Sequence, residues 1–270
     1  MLQSHLEMLV TWFDGYSRTF LDTDEEGVRN IRLKIEHTRR VCDVMALLTA
    51  GERLDDNESR IAAATALLHD VGRFPQYRRW RTFRDSESDN HARLSVEVIR
   101  EQRLLQGLEA AEVQLIEEAV RFHNLLVVPD RLASPTSRFV RLIRDADKLD
   151  IWHVFTEQEQ LPEQERATAA YLGLPDRPEI TPVCLEAIRS GAVVRLQECR
   201  VVNDIRLMLL SWALDLEFPT SYGLLLQRGY LLQLAALLTG PCDVSGVLAG
   251  LQAEVVRRSG GSTLPLPVGD

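Results

Sequence analysis

Cysteine is scarce and scattered in this 270-residue chain: Cys42, Cys184, Cys199 and Cys242 form no CxxC pair. Disulfide frameworks and thiolate zinc sites need closer groupings, so reduced thiols are expected instead. Basic charge is in deficit, with 31 Lys and Arg against 40 Asp and Glu for a net charge of −9. That excludes a general nucleic-acid surface and leaves any affinity for anions to a local patch. Long apolar runs are missing too. YLLQLAALLT falls well short of the ~20 residues that span a bilayer. The first twenty residues lack a basic leader and carry His5, Glu7 and Asp14, so neither a signal peptide nor a membrane span is expected there. The expected location is the cytoplasm, with no membrane partner.

Alternating β-branched runs are few, and the apolar spacing is helical nearly throughout, which predicts an all-α fold. Helices are expected at about 2–21, 26–50, 58–71, 90–104, 109–126 and 135–155, then at 162–172, 181–198, 201–217, 221–239 and 243–258. Asp89 or Asn90 can cap the fourth, and Ser134 with Pro135 reads as the start of the sixth. Gly51 and Gly72 stand where C-terminal caps belong. Residues 73–90, RFPQYRRWRTFRDSESDN, read as one long polar loop. Residues 259–270 read as a flexible tail.

Polar side chains recur where the helical pattern calls for core. His37 shares a stripe with Leu33, Val41, Val44 and Leu48, and His123 shares one with Val113, Ile116 and Val120. His91 joins Leu94 and Val98 at a stripe edge. The third helix, IAAATALLHD, is apolar on nearly all sides and ends in His69 and Asp70. A carboxylate delivered to such a place needs a cation or strong donors, because leaving it unpaired costs at least several kcal/mol. Asp145, Asp147 and Asp150 cluster near the end of the sixth helix, and periodicity does not choose between Asp145 and Asp147. A lone imidazole on an apolar stripe is usually a satisfied core residue. Four, with several aspartates on successive helices, point to a metal centre. Imidazole nitrogen with carboxylate oxygen suits divalent first-row metals, and two such ions can act together on a phosphoryl group.

His37, the pair His69-Asp70 and Asp147, within LLHDVGR and RDADKLD, resemble the HD superfamily of metal-dependent phosphohydrolases over roughly residues 26–155. The resemblance implies an HD-domain helical bundle at 26–155, after an N-terminal helix at 1–25. Further C-terminal helices at 156–258 would pack on it and complete the same domain. It implies that His37, His69, Asp70 and Asp147 bind a first metal ion. His91 and His123 resemble the extra histidines of binuclear members, with Asp70 bridging to a second ion. The cyclic-dinucleotide phosphodiesterases among those members carry a GYP signature absent here, and Asn124 stands where they have a further His. The implied activity is hydrolysis of a small phosphorylated substrate, expected to be a nucleotide, by a metal-activated hydroxide. One or two ions of Mn, Fe, Co or Ni are expected.

On this reading Asp70 is catalytic as the bridging ligand. Arg73 and Lys148, neighbours of ligands in sequence, are expected to act catalytically and to bind substrate phosphate, with Arg81 and Arg84 extending the patch. Tyr77, Trp80 and Phe83 either stack on a base or pin the loop. The alternative activities are a di-iron oxygenase of the HD fold and a nucleotide-sensing module without turnover. The leucine-rich C-terminal helices complete the core or form a homodimer interface.

Overall fold

The computed structural model describes residues 1–21, 24–130, 132, 134–240 and 243–260. Cys242 and nearly all of the expected tail lie outside the described residues. Within them the fold is all-α, with no strand. Contacts divide the chain into two compact units. One comprises Met1–Val154 with Leu161–Leu172, and the other Phe155–Gln160 with Gly173 onward. The sequence reading draws a single domain that 156–258 completes.

The first unit contains α1 (Gln3–Arg18), α2 (Glu25–Gly51), α3 (Asp56–Leu68), α4 (Arg73–Trp80), α5 (His91–Glu101), α6 (Ala110–Phe122) and most of α7 (Thr136–Gln160). Their starts follow from local chemistry. Asp24 caps α2 by accepting from Gly27 N at 2.8 Å, with Glu25 and Glu26 in the first turn against the helix dipole. Asp55 and Glu58 form a reciprocal capping box on α3. Asn90 caps α5 through Arg93 N at 2.9 Å. The helix α3 packs against α1, α2 and α6, and its apolar residues from Ile61 to Leu68 are almost all buried, as a helix apolar on nearly all sides requires.

Several expectations are corrected. The 73–90 segment is not a loop throughout, because α4 occupies its first half. Pro75 sits in the first helical turn, where its missing N–H has no partner to lose. Phe74 is buried against Phe13, Tyr16 and Phe20 of the N-terminal segment. Gly51 ends α2 without adopting a left-handed conformation, which falls instead on Arg53 (φ 55). Gly72 is no C-cap either. Its φ is −69, and a Cβ there would stand 2.4 Å from Ser95 N, so glycine serves the close approach of α5.

The second unit carries α8 (Pro182–Arg189), α9 (Val202–Ser211), α10 (Pro219–Arg228), α11 (Tyr230–Leu237) and α12 (Ser245–Arg258). The helix expected at 221–239 is two helices, separated by Gly229 at φ 66. That expected at 181–198 stops at Arg189, before Gly191 at φ 75. The 162–172 stretch holds only short 3-10 turns. Buried Asp204 ties α9 to the start of α8 by accepting from Thr181 N and Oγ1 at 2.8 and 2.6 Å. No helix among the described residues is long and apolar enough to cross a membrane.

Candidate metal centre

Four imidazoles and two carboxylates from five helices or helix ends meet in the first unit. His37 comes from the middle of α2, His69 and Asp70 from the C-terminal end of α3, and His91 from the first position of α5. His123 closes α6, and Asp147 lies midway along α7. Asp70 divides its oxygens between two imidazole pairs. Oδ2 lies 3.7 Å from both His37 Nε2 and His69 Nε2, and Oδ1 lies 3.6 and 3.9 Å from His91 Nε2 and His123 Nε2. Asp147 Oδ1 stands beside the first pair, 3.1 Å from His37 Nε2 and 3.7 Å from His69 Nε2. Three overlapping groups, His37-His69-Asp70, His69-His123-Asp147 and Asp70-His91-His123, have donor atoms close enough to share an ion.

Each ring is held by its other nitrogen. His69 Nδ1 and His123 Nδ1 lie 2.7 Å from the carbonyls of Ala66 and Val120, which can only accept, so both Nδ1 atoms carry protons. His37 Nδ1 meets Asp150 Oδ2 at 2.7 Å and His91 Nδ1 meets Asp85 Oδ2 at 2.7 Å, with the same consequence. All four Nε2 atoms therefore turn lone pairs inward. This is how metal-binding histidines are oriented by outer partners.

Without a cation this arrangement is unfavourable. His91 Nε2 and His123 Nε2 face each other at 3.1 Å, two lone pairs that need a proton or an ion between or beside them. His37 Nε2, His69 Nε2 and Asp70 Oδ1 are buried with no hydrogen-bond partner. The residues thus fit a divalent transition metal in donor type, direction and deficit.

The electrostatics divide the cluster. Burial pushes His123 down to about 3, with His91 and His69 adding to the effect. Burial and then Arg73 lower His91 against the pull of Asp85 and Asp70. His37 goes the other way: burial and Lys34 oppose its protonation, but the carboxylates of Asp147 and Asp150 outweigh them. Asp70 is held well below the usual carboxylate range, because Lys34, His69 and Arg73 overcome the burial that acts against its charge. Asp147 is lowered likewise, burial being outweighed by His37 and His69.

The other expected residues are engaged within the protein, Arg73 beside the cluster itself. Its NH1 bonds Phe83 O, Asp85 Oδ1 and Gln76 Oε1 at 2.6, 3.0 and 3.0 Å, and its Nε lies 3.4 Å from Asp70 Oδ1. It is a clamp between two acids. Arg81 Nη2 donates to both carboxylate oxygens of Asp24 at 2.7 and 2.6 Å and lies over the Tyr77 ring, and Arg84 pairs with Glu87, so each holds a local acid partner. Lys148, next to Asp147 on α7, is buried. Tyr77 and Phe83 are buried and in contact, and Tyr77 Oη accepts from Asn30 Nδ2 at 2.9 Å: they pin the segment.

Three participants escape sequence reasoning. Asp85 gathers His91, Arg73, Gln76 and, at 3.3 Å, Asn124, from a short 3-10 turn in an acidic stretch. Arg40 Nε donates to Asp150 Oδ1 at 2.7 Å and completes the hold on His37. Lys34 Nζ donates to Asp70 Oδ2 at 2.7 Å. Lys34 and Arg40 carried a signal, each one helical turn from His37 on α2; Asp85 carried none.

The family described as HD domain matches residues 35–152, a span that holds all six cluster residues. No curated protein and no solved structure matches the chain significantly.

Proposed function

We propose that this chain, whose residues 35–152 match the family described as HD domain, is a metal-dependent phosphohydrolase acting on a small phosphorylated molecule, with nucleotides the first class to test. The division of Asp70 between two imidazole pairs carries this reading. His37, His69, Asp147 and Asp70 Oδ2 would hold one divalent ion, and His91, His123 and Asp70 Oδ1 a second. Imidazole with carboxylate and no thiolate favours Mn, Fe, Co or Ni over magnesium. Bound there, such ions polarise a phosphoryl oxygen and bring the pKa of a water into the neutral range.

The protein's own part is preorganisation. Asp150, Asp85 and two backbone carbonyls fix the rings, so no reorientation is needed when charge develops. Burial removes competing solvent from the imidazoles, while Asp147, with 20% of its side chain accessible, marks the side open to substrate.

Protein purified without chelator should carry Mn, Fe, Co or Ni, and that metal should support release of phosphate from one member of a phosphoester panel. Asp70→Ala should lose both the metal and the turnover. Full activity in that variant would overturn the mechanism. The same two-sided Asp70 also suits a two-iron oxygen-activating centre, so oxygen uptake with no phosphoester turnover would replace hydrolysis with oxygenation.

A further inference from the structure

The chain has two lysines among its 31 basic residues, Lys34 and Lys148. Elsewhere it uses arginine, so a lysine at the cluster is a departure from the habit of the whole sequence. Lys34 lies three residues before His37 on α2, hence on the same face one turn away. Its Nζ donates to Asp70 Oδ2, the very oxygen that faces His37 Nε2 and His69 Nε2. An ammonium therefore stands where a divalent ion held by those three residues must compete for the same lone pairs.

The two occupants compete. An ion on Oδ2 would withdraw the electron density that Lys34 uses and would repel its charge, favouring a lysine turned away from that oxygen. Its side chain is 14% accessible, whereas those of the His37 and His69 rings are 1% and 0%, so the ammonium has solvent-facing room that the rings lack. The nearby guanidinium groups cannot substitute. Arg73 is anchored through one nitrogen to Asp85, Gln76 and Phe83 O, and Arg40 to Asp150. A flexible four-carbon stem ending in three rotatable donors can leave one oxygen for another; a planar fork fixed by several bonds does not.

We propose that Lys34 is the phosphate-binding cation of this site, paired with Asp70 until an ion takes that oxygen and then turned to the phosphoryl oxygens of the substrate. The inference rests on the metal-dependent reading above. It adds that metal loading and anion binding are coupled through one side chain.

The test measures Mn(II) affinity by competition with a chelator, and orthophosphate affinity of the Mn-loaded protein by calorimetry, in wild type, Lys34→Met and Lys34→Arg. Lys34→Met should bind Mn(II) several-fold more tightly and orthophosphate at least tenfold more weakly. Lys34→Arg should recover most of the phosphate affinity. A lysine that merely holds the fold together predicts that both affinities fall, and that result, or no change in either, overturns the proposal. Wild-type protein provides a readout that needs no variant. With only two lysines and the terminal amine to label, acylation followed by mass spectrometry should find Lys34 more reactive after Mn loading and protected again by orthophosphate. An unchanged Lys34 labelling rate on loading also overturns the proposal. Wild-type protein that takes up no metal would remove the metal reading itself; Mn binding with a phosphate affinity indifferent to Lys34 would remove this inference alone.

Discussion

At the scale of single residues, the four histidines differ in how their inward aim is secured. His91 depends on Asp85, which also anchors Arg73 and Gln76, so one carboxylate sets both an imidazole and the clamp behind Asp70. Outer partners of this kind are typically worth about 10- to 100-fold in metal affinity. Asp85→Ala should therefore weaken the site of His91 and His123 by that factor while leaving the site of His37 and His69 filled. Metal analysis at low free metal should fall from two ions toward one. Loss of both ions together would mean that Asp85 serves the fold rather than one half of the centre. Asp85 was illegible in sequence because RDSESD is an acidic stretch in which nothing distinguishes one carboxylate from the next. The histidines were legible because an imidazole on an apolar stripe is out of place, and such misplacement survives without coordinates. The arginines of 73–84 were countable but their partners were not: Arg73 takes Phe83 O, Arg81 takes Asp24 and Arg84 takes Glu87.

At the scale of elements, helix existence was readable and helix interruption was not. Apolar periodicity runs unbroken through 221–239, yet Gly229 takes a left-handed turn, which depends on where the following segment must pack. Gly72 carries the same lesson with a sharper consequence. The atoms that a Cβ would meet are the backbone of α5, at 2.4 to 2.7 Å, and backbone does not yield as a side chain can. Gly72→Ala should cost about 2 to 3 kcal/mol of stability, at the upper end of what overpacking usually costs. Denaturant unfolding would measure it. The displacement of α5 should also disturb His91, its first residue. A variant as stable as wild type would mean that the approach of α4 and α5 is softer than the geometry requires.

At the scale of the whole molecule, the groups able to hold a metal among the described residues all fall in the first unit. An ion that binds the folded form and not the unfolded chain stabilises by mass action, about 2.7 kcal/mol at a hundredfold excess over Kd. Chelation should lower the thermal transition and metal should restore it. Hydrogen exchange should localise the gain, with slowed amides in α2, α3, α5, α6 and α7 and little change in α8 to α12. Uniform protection across both sets, or none, would contradict a centre confined to the cluster.

Two of the rings are aimed from within their own helices, His69 by Ala66 and His123 by Val120, each three residues back along the chain. The other two are aimed by carboxylates outside theirs, His37 by Asp150, 113 positions away on α7, and His91 by Asp85 in the turn before α5. Half of the cradle is consequently set once α3 and α6 have wound. The other half waits until α7 has docked and the segment around Asp85 has closed over its neighbours. An ion captured in full is thus a certificate of finished tertiary assembly, and a chain with native helix content but an undocked α7 would fail to obtain it.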